Sequence, residues 1–257
     1  MRLLLIRHAD PDYSIDSLTP EGWKEAEALA AYSPNLKIDT CYVSPLGRAR
    51  DTASLTLKKL GKTAQVRQWL EEFPAVVDVE NSEHLKQAFS RQHMTADGKY
   101  AKRIVWDMYP SYYAAHPEYW DAEKWRESET ARMSDLVLTY DRVVRSFDEL
   151  LAEHGYVREG RLYRAEHASH ETVALFCHFG VSCVLLSHLM NVSPFVLWHM
   201  LCLQPSSVTE LVTEERQQGT AAFRALQIGS VAHLYAAGLT PSFAARFCET
   251  YADGTRH

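Results

Sequence analysis

No run of about twenty continuous apolar residues, the length a membrane-spanning helix needs, occurs in this 257-residue chain. The segment from Thr172 to Thr209 holds no Asp, Glu, Lys or Arg, yet His178, Gly180, His188, Asn191, Pro194 and His199 interrupt it. It reads as a buried strand, a helix and a second short helix after Pro194. Leu3 to Ile6 is four apolar residues running into Arg7-His8, too short for a signal-peptide core. Cysteine is scarce: five residues, an odd number, with no Cys-x-x-Cys pair. Three lie in strongly apolar runs, so they read as reduced core residues of a cytosolic protein. Neither sign of charge dominates. Lys+Arg number 27 and Asp+Glu 33, a net charge of -6, which excludes a general pull on nucleic acid or an anionic membrane. Any phosphate chemistry must come from a local pocket of cations.

What is present is an ordinary globular balance, 46% hydrophobic and 23% charged, which excludes a disordered or fibrous chain. Leu3 to Ile6 and Val173 to Cys177 have the length of fully buried strands, and Thr40 to Val43 is a weaker third. Such short unalternating runs suit parallel strands covered on both faces. Thr19-Pro20-Glu21 caps a helix through about Tyr32, with Trp23, Ala26, Leu29 and Ala30 on its apolar face. Ser44-Pro45 opens another to about Leu60. Leu136, Tyr140, Val143, Phe147 and Leu150 mark a long amphipathic helix over about Ser134 to His154, ended by Gly155. Residues 206–230 alternate and turn at Gly219, a hairpin at the sheet edge. Between about 75 and 133 the character changes. Seven aromatics (Trp106, Tyr109, Tyr112, Tyr113, Tyr119, Trp120, Trp125) fall within twenty positions, with weak periodicity. This is an insertion of loops and short helices. The expected class is α/β: one domain over 1–257, a mostly parallel sheet flanked by helices, an antiparallel edge hairpin, and 75–133 as an aromatic-rich cap.

In an open α/β sheet, ligands sit at the carboxyl ends of the strands. The first candidate strand ends in Arg7-His8. The second leads through Ser44-Pro45-Leu46-Gly47 to Arg48, and the last ends in His178-Phe179-Gly180. A fourth segment, Gln65 to Trp69, leads to Leu70-Glu71-Glu72. Two histidines, two arginines and a carboxylate make a site for a phosphoryl group. Arginine's planar fork matches phosphate oxygens, and a neutral histidine can be a covalent nucleophile.

Four motifs in this order, LLLIRHADPDY at 3–13, SPLGRARDTA at 44–53, WLEEF at 69–73 and ALFCHFGVS at 174–182, resemble those of the histidine phosphatase superfamily, the phosphoglycerate mutase-like branch. The resemblance implies that His8 is the nucleophile that becomes phosphohistidine. It implies that Arg7, Arg48 and His178 hold the phosphate, and that Glu72, with Glu71 in reserve, protonates the leaving oxygen. It implies no cofactor and no metal, because positioning and charge suffice for phosphoryl transfer. Arg48 is preferred to Arg50 because it alone fits Arg-Ala-x-x-Thr. Strand alternation would point Glu71 and Glu72 to opposite faces.

Two departures bear on function. Ala9 stands where the family usually has glycine, and Asp10-Pro11-Asp12-Tyr13 replaces the Thr/Ser and Asn that mutases use to grip a doubly phosphorylated intermediate. The insertion carries eight Lys/Arg against ten Asp/Glu, so it is no second polyphosphate clamp. The expectation is therefore a metal-independent cytoplasmic phosphomonoesterase, a histidine acid-type phosphatase. The alternatives are a mutase-type phosphotransferase and a non-catalytic phospholigand-binding protein. The expected partners are a small phosphorylated substrate, with an apolar or aromatic body admitted, and further copies of the chain, with nucleic acid and membrane excluded. Glu166-His167-Ala168-Ser169-His170-Glu171 has metal-ligand types, but it precedes a strand without a second cluster and reads as a solvated loop.

Overall fold

The computed structural model describes residues 1–89, 94–244 and 246–254. Eight strands form one sheet: β1 (Arg2–Arg7), β2 (Thr40–Val43), β3 (Gln65–Val66), β4 (Tyr156–Glu159), β5 (Leu162–Ala165), β6 (Thr172–Cys177), β7 (Val208–Gln217) and β8 (Thr220–Ser230). Their spatial order is β3-β2-β6-β1-β7-β8-β5-β4. The first four of that order run parallel, and every pairing from β1 onward is antiparallel. Helices are α1 (Pro20–Tyr32), α2 (Gly47–Leu60), α3 (Leu136–Glu153), α4 (Phe179–Met190), α5 (Pro194–Met200) and α6 (Ala232–Ala236). The α/β expectation holds. So does the hairpin turning at Gly219, whose φ is +76°; a second hairpin, β4–β5, lies outside it and forms that edge of the sheet.

Local chemistry explains the boundaries. Thr19 caps α1 by accepting the Gly22 amide at 3.0 Å, with Pro20 just inside. The start of α2 is later than Ser44-Pro45: Leu46 is its cap and Gly47 its first residue. In the segment 65–69 only Gln65–Val66 is strand, because Gln68–Leu70 closes into a 3₁₀ turn.

Two compact units make up the chain. The first is Met1–Glu72, Ser146–Ser182 and Cys202–Phe247; the second is Phe73–Arg145, Cys183–Leu201 and the described residues from Cys248. In the first, Leu4, Ile6, Leu29, Val43, Ala174, Phe176 and Val208 belong to one core between the sheet and the flanking helices. In the second, Val76–Val77 pairs with Arg103–Ile104 among short helices. Four of the seven clustered aromatics, Tyr112, Tyr113, Tyr119 and Trp125, are buried, while Tyr109 and Trp120 are exposed. Phe73, Trp106 and Trp198 stack mutually at 5.4–6.1 Å. Among the described residues, no helix is long and apolar enough to cross a membrane.

Candidate active site

Register builds the site. β1 and β6 pair in parallel from Arg2↔Thr172 to Arg7↔Cys177, and Val43 of β2 pairs with Phe176. His8, His178 and Ser44 therefore leave the sheet side by side at its carboxyl edge. The His8 and His178 rings lie 5.0 Å apart, tilted by 56°. Both side chains are buried, at 1% and 0% exposure.

His8 Nδ1 lies 2.7 Å from the Ala9 carbonyl oxygen. A carbonyl can only accept, so Nδ1 carries the proton and Nε2 of the neutral ring keeps its lone pair. Burial holds the His8 imidazole down to about 3; Arg7 and Arg48 push it the same way, and the bond to Ala9 opposes them. His178 is held well below its ordinary value by burial and then by His8, Arg48 and Arg7. Both rings are thus neutral in the folded protein near pH 7. Ser44 Oγ lies 2.7 Å from His178 Nε2 and accepts the Leu46 amide at 3.2 Å. His178 Nδ1 is buried without a hydrogen-bond partner among the described residues.

Arg7 and Arg48 are 5% and 9% exposed. An Nη of Arg7 donates to the Leu203 carbonyl, and its guanidinium lies over Phe179 at 5.8 Å. Arg48 Nη1 donates to Asp16 Oδ1 at 2.6 Å, and its guanidinium stacks on Tyr13 at 5.3 Å. Asp16 Oδ2 also accepts the Gly47 amide at 2.6 Å. Burial opposes ionisation of Asp16, but the Gly47 amide and the Arg48 charge win, so its carboxyl lies below the ordinary range. Arg50 is exposed. Thr52, the last residue of the Arg-Ala-x-x-Thr match, ties α2 to the loop after His8: its hydroxyl accepts the Ala9 amide at 2.9 Å and donates to the Arg48 carbonyl at 2.8 Å.

Glu71 and Glu72 follow the 3₁₀ turn and not a strand, so alternation does not separate them. Contact does: Glu72 Oε1 accepts the amide of Val181, in the first turn of α4, at 3.3 Å. A carboxylate there meets the positive end of the helix, and Val181 is three residues past His178. Ala9 is fully buried beside Leu18 and Ala26, and its φ is not positive. Its backbone therefore does not need a glycine, and its methyl fills the core.

The sequence reading passed over Asp16, Ser44 as a partner of His178, and the segment before β7. There Ser206, at φ +57°, donates its amide to the His8 carbonyl at 3.0 Å, and Ser207 accepts the Arg7 amide at 3.0 Å. Ser206 Oγ lies 2.9 Å from His233 Nε2. Pro205-Ser206-Ser207 has no charge or periodicity that marks it as a cradle.

Residues 3–103 match the family model described as the histidine phosphatase superfamily (branch 1). No curated protein sequence matches the chain at a significant level. Solved structures share its fold. A phosphoserine phosphatase from Entamoeba histolytica in complex with phosphoserine is 16% identical, with a TM-score of 0.54 over 91% of this chain and 98% of that one. The mycobacterial glucosyl-3-phosphoglycerate phosphatase with inorganic phosphate is 21% identical, with a TM-score of 0.55 over 90% and 98%. The alpha-ribazole phosphatase from Shigella flexneri is 16% identical, with a TM-score of 0.50 over 90% and 97%.

Proposed function

We propose, for a chain whose residues 3–103 match the histidine phosphatase superfamily (branch 1), that it is a phosphomonoesterase working through phosphohistidine. The observation that carries the reading is the His8 ring. It is buried and neutral, its Nδ1 proton is committed to the Ala9 carbonyl, and Arg7 and Arg48 both act on its charge. In this mechanism His8 Nε2 attacks phosphorus, and the bond from phosphorus to the leaving oxygen breaks. Glu72 gives that oxygen its proton. Arg7, Arg48 and His178 hold the phosphoryl oxygens as charge develops. Water then attacks the phosphohistidine, Glu72 recovers a proton from it, and inorganic phosphate leaves. Hydrolysis is favoured over mutase chemistry because Asp10-Pro11-Asp12-Tyr13 stands where the mutase pattern has its gripping side chains.

The same proposal covers a small phosphorylated substrate, metal independence, the 75–133 insertion as a cap, resting on its aromatic content, and a cytoplasmic setting, supported by an odd number of cysteines with no Cys-x-x-Cys pair. The test is direct. Protein incubated with substrate and quenched in alkaline detergent should carry phosphate that is lost in acid and stable in base, as phosphohistidine is, and His8→Ala should carry none and release no phosphate. Retention of most phosphate release by His8→Ala would sink the mechanism. Chelator should leave activity intact, whereas vanadate, a trigonal-bipyramidal mimic of the transferring group, should inhibit.

A further inference from the structure

A second carboxyl group sits behind the loop that follows His8. Glu25, on α1, is 1% exposed. Its Oε2 accepts the Asp10 amide at 2.9 Å, and its Oε1 accepts the Ser242 amide at 3.2 Å. Asp10 reinforces the connection: its Oδ1 accepts the Ser242 hydroxyl at 3.0 Å and its Oδ2 the Thr19 hydroxyl at 2.7 Å. Gly22 lets α1 approach this closely, since a Cβ there would lie 2.2 Å from the Asp10 carbonyl oxygen. Three segments distant in sequence thus meet two residues past His8.

The charges facing Glu25 are of its own sign. Asp10 faces it from the catalytic loop and Glu21 from its own helix. The third element against it, residues 239–243, has no charged residue. Burial pushes Glu25 up to about 7; the Asp10 and Ser242 amides oppose this, and the charges of Asp10 and Glu21 add to it. Ionised, the carboxylate satisfies both amides. Protonated, one oxygen becomes a donor facing an N–H group, and one of the two bonds is lost. A group placed only to fill space would be apolar, because burying a carboxyl among acids is costly.

We propose that Glu25 is a positioning residue for the reaction: its carboxylate fixes the Asp10 backbone, and through it His8, against segment 239–243. The proposal rests on the phosphohistidine reading. Its test compares wild type with Glu25→Gln, which keeps the shape but has one acceptor and no titration. kcat and KM for p-nitrophenyl phosphate are measured from pH 5.5 to 8.5, together with hydrogen exchange at the Asp10 and Ser242 amides. Wild-type kcat should fall as pH drops through about 7. At pH 8, Glu25→Gln should show a kcat lower by about tenfold, the rate equivalent of one charge-assisted hydrogen bond. It should lack the limb near pH 7, keep its KM within about threefold, and exchange the two amides faster. An unchanged kcat and limb in Glu25→Gln would overturn the inference alone. Absence of phosphate release from wild type would overturn the catalytic reading and this role with it. If the variant does not fold, wild-type amide protection decides. Loss of protection below about pH 7 supports the clamp, and constant protection overturns it.

Discussion

How much a general acid contributes depends on the leaving group, and this separates the two neighbouring glutamates. An alkyl phosphate expels a strongly basic alkoxide, whereas p-nitrophenolate leaves almost unaided. Because Glu72 reaches the first turn of α4, Glu72→Gln should lose about 10²–10⁴-fold on an alkyl phosphate and far less on p-nitrophenyl phosphate. Glu71→Gln should stay near wild type on both. Equal small losses for the two variants would place the proton elsewhere, though not on Asp10, whose carboxylate oxygens accept the Ser242 and Thr19 hydroxyls. Arg7, His8 and His178 were legible as candidates because each lies at or just past a strand end, and Arg48 and Glu72 because each falls in a short motif. Their supports were not. Asp16 to Arg48, Ser206 to His233 and Glu25 to Ser242 join residues far apart in sequence, and apart from Arg48 nothing local marks any of them.

The loop over residues 10–18 is seated on α2 by a close backbone approach. A Cβ at Gly47 would lie 2.0 Å from the Asp16 carbonyl oxygen, and Asp16 itself sits at φ +48°, a region Asp and Asn tolerate better than most residues. Asp16 occupies one Nη of Arg48 and so sets the direction of the guanidinium. Asp16→Asn keeps the backbone preference and removes the charge. The ion pair is half exposed on the Asp side, so the stability cost should stay within about 1 kcal/mol. Phosphate affinity should change much more: an inhibition constant for inorganic phosphate weaker by about tenfold, with little change in melting temperature. An unchanged inhibition constant would show that Asp16 does not orient Arg48. At this scale the strands β1, β2 and β6 and the helices α1 and α3 were readable because each has one uninterrupted apolar run or stripe. The β4–β5 hairpin was not, because Arg158, Glu159 and Arg164 break its alternation and it carries few buried residues.

For the whole molecule, the buried titratable groups set how stability responds to acid. His8 is held down to about 3 and His233 to about 4, in both cases chiefly by burial, against 6.5 for an ordinary imidazole. As pH falls below about 6.5 the unfolded chain takes up these protons first. Each histidine therefore removes about 1.4 kcal/mol of stability per pH unit until its folded value is reached. His178 acts in the same direction. Glu25 acts in the opposite one: with its folded value near 7 against an ordinary 4.5, the folded state takes its proton first, and stability rises as pH drops between those limits. His199 is lowered by burial as well and Asp107 raised by it, so four histidines against two carboxyls leave a net loss of stability as pH falls from 6 to 5. Urea midpoints at pH 7, 6 and 5 should fall steeply over the last step. His233→Gln, which keeps a partner for Ser206, should flatten that fall by one proton's worth, and Glu25→Gln should steepen it by the same amount. A midpoint that does not move between pH 7 and 5 would mean that these imidazoles take up protons in the folded state, and the proposal of His8 as a neutral nucleophile would lose its physical basis.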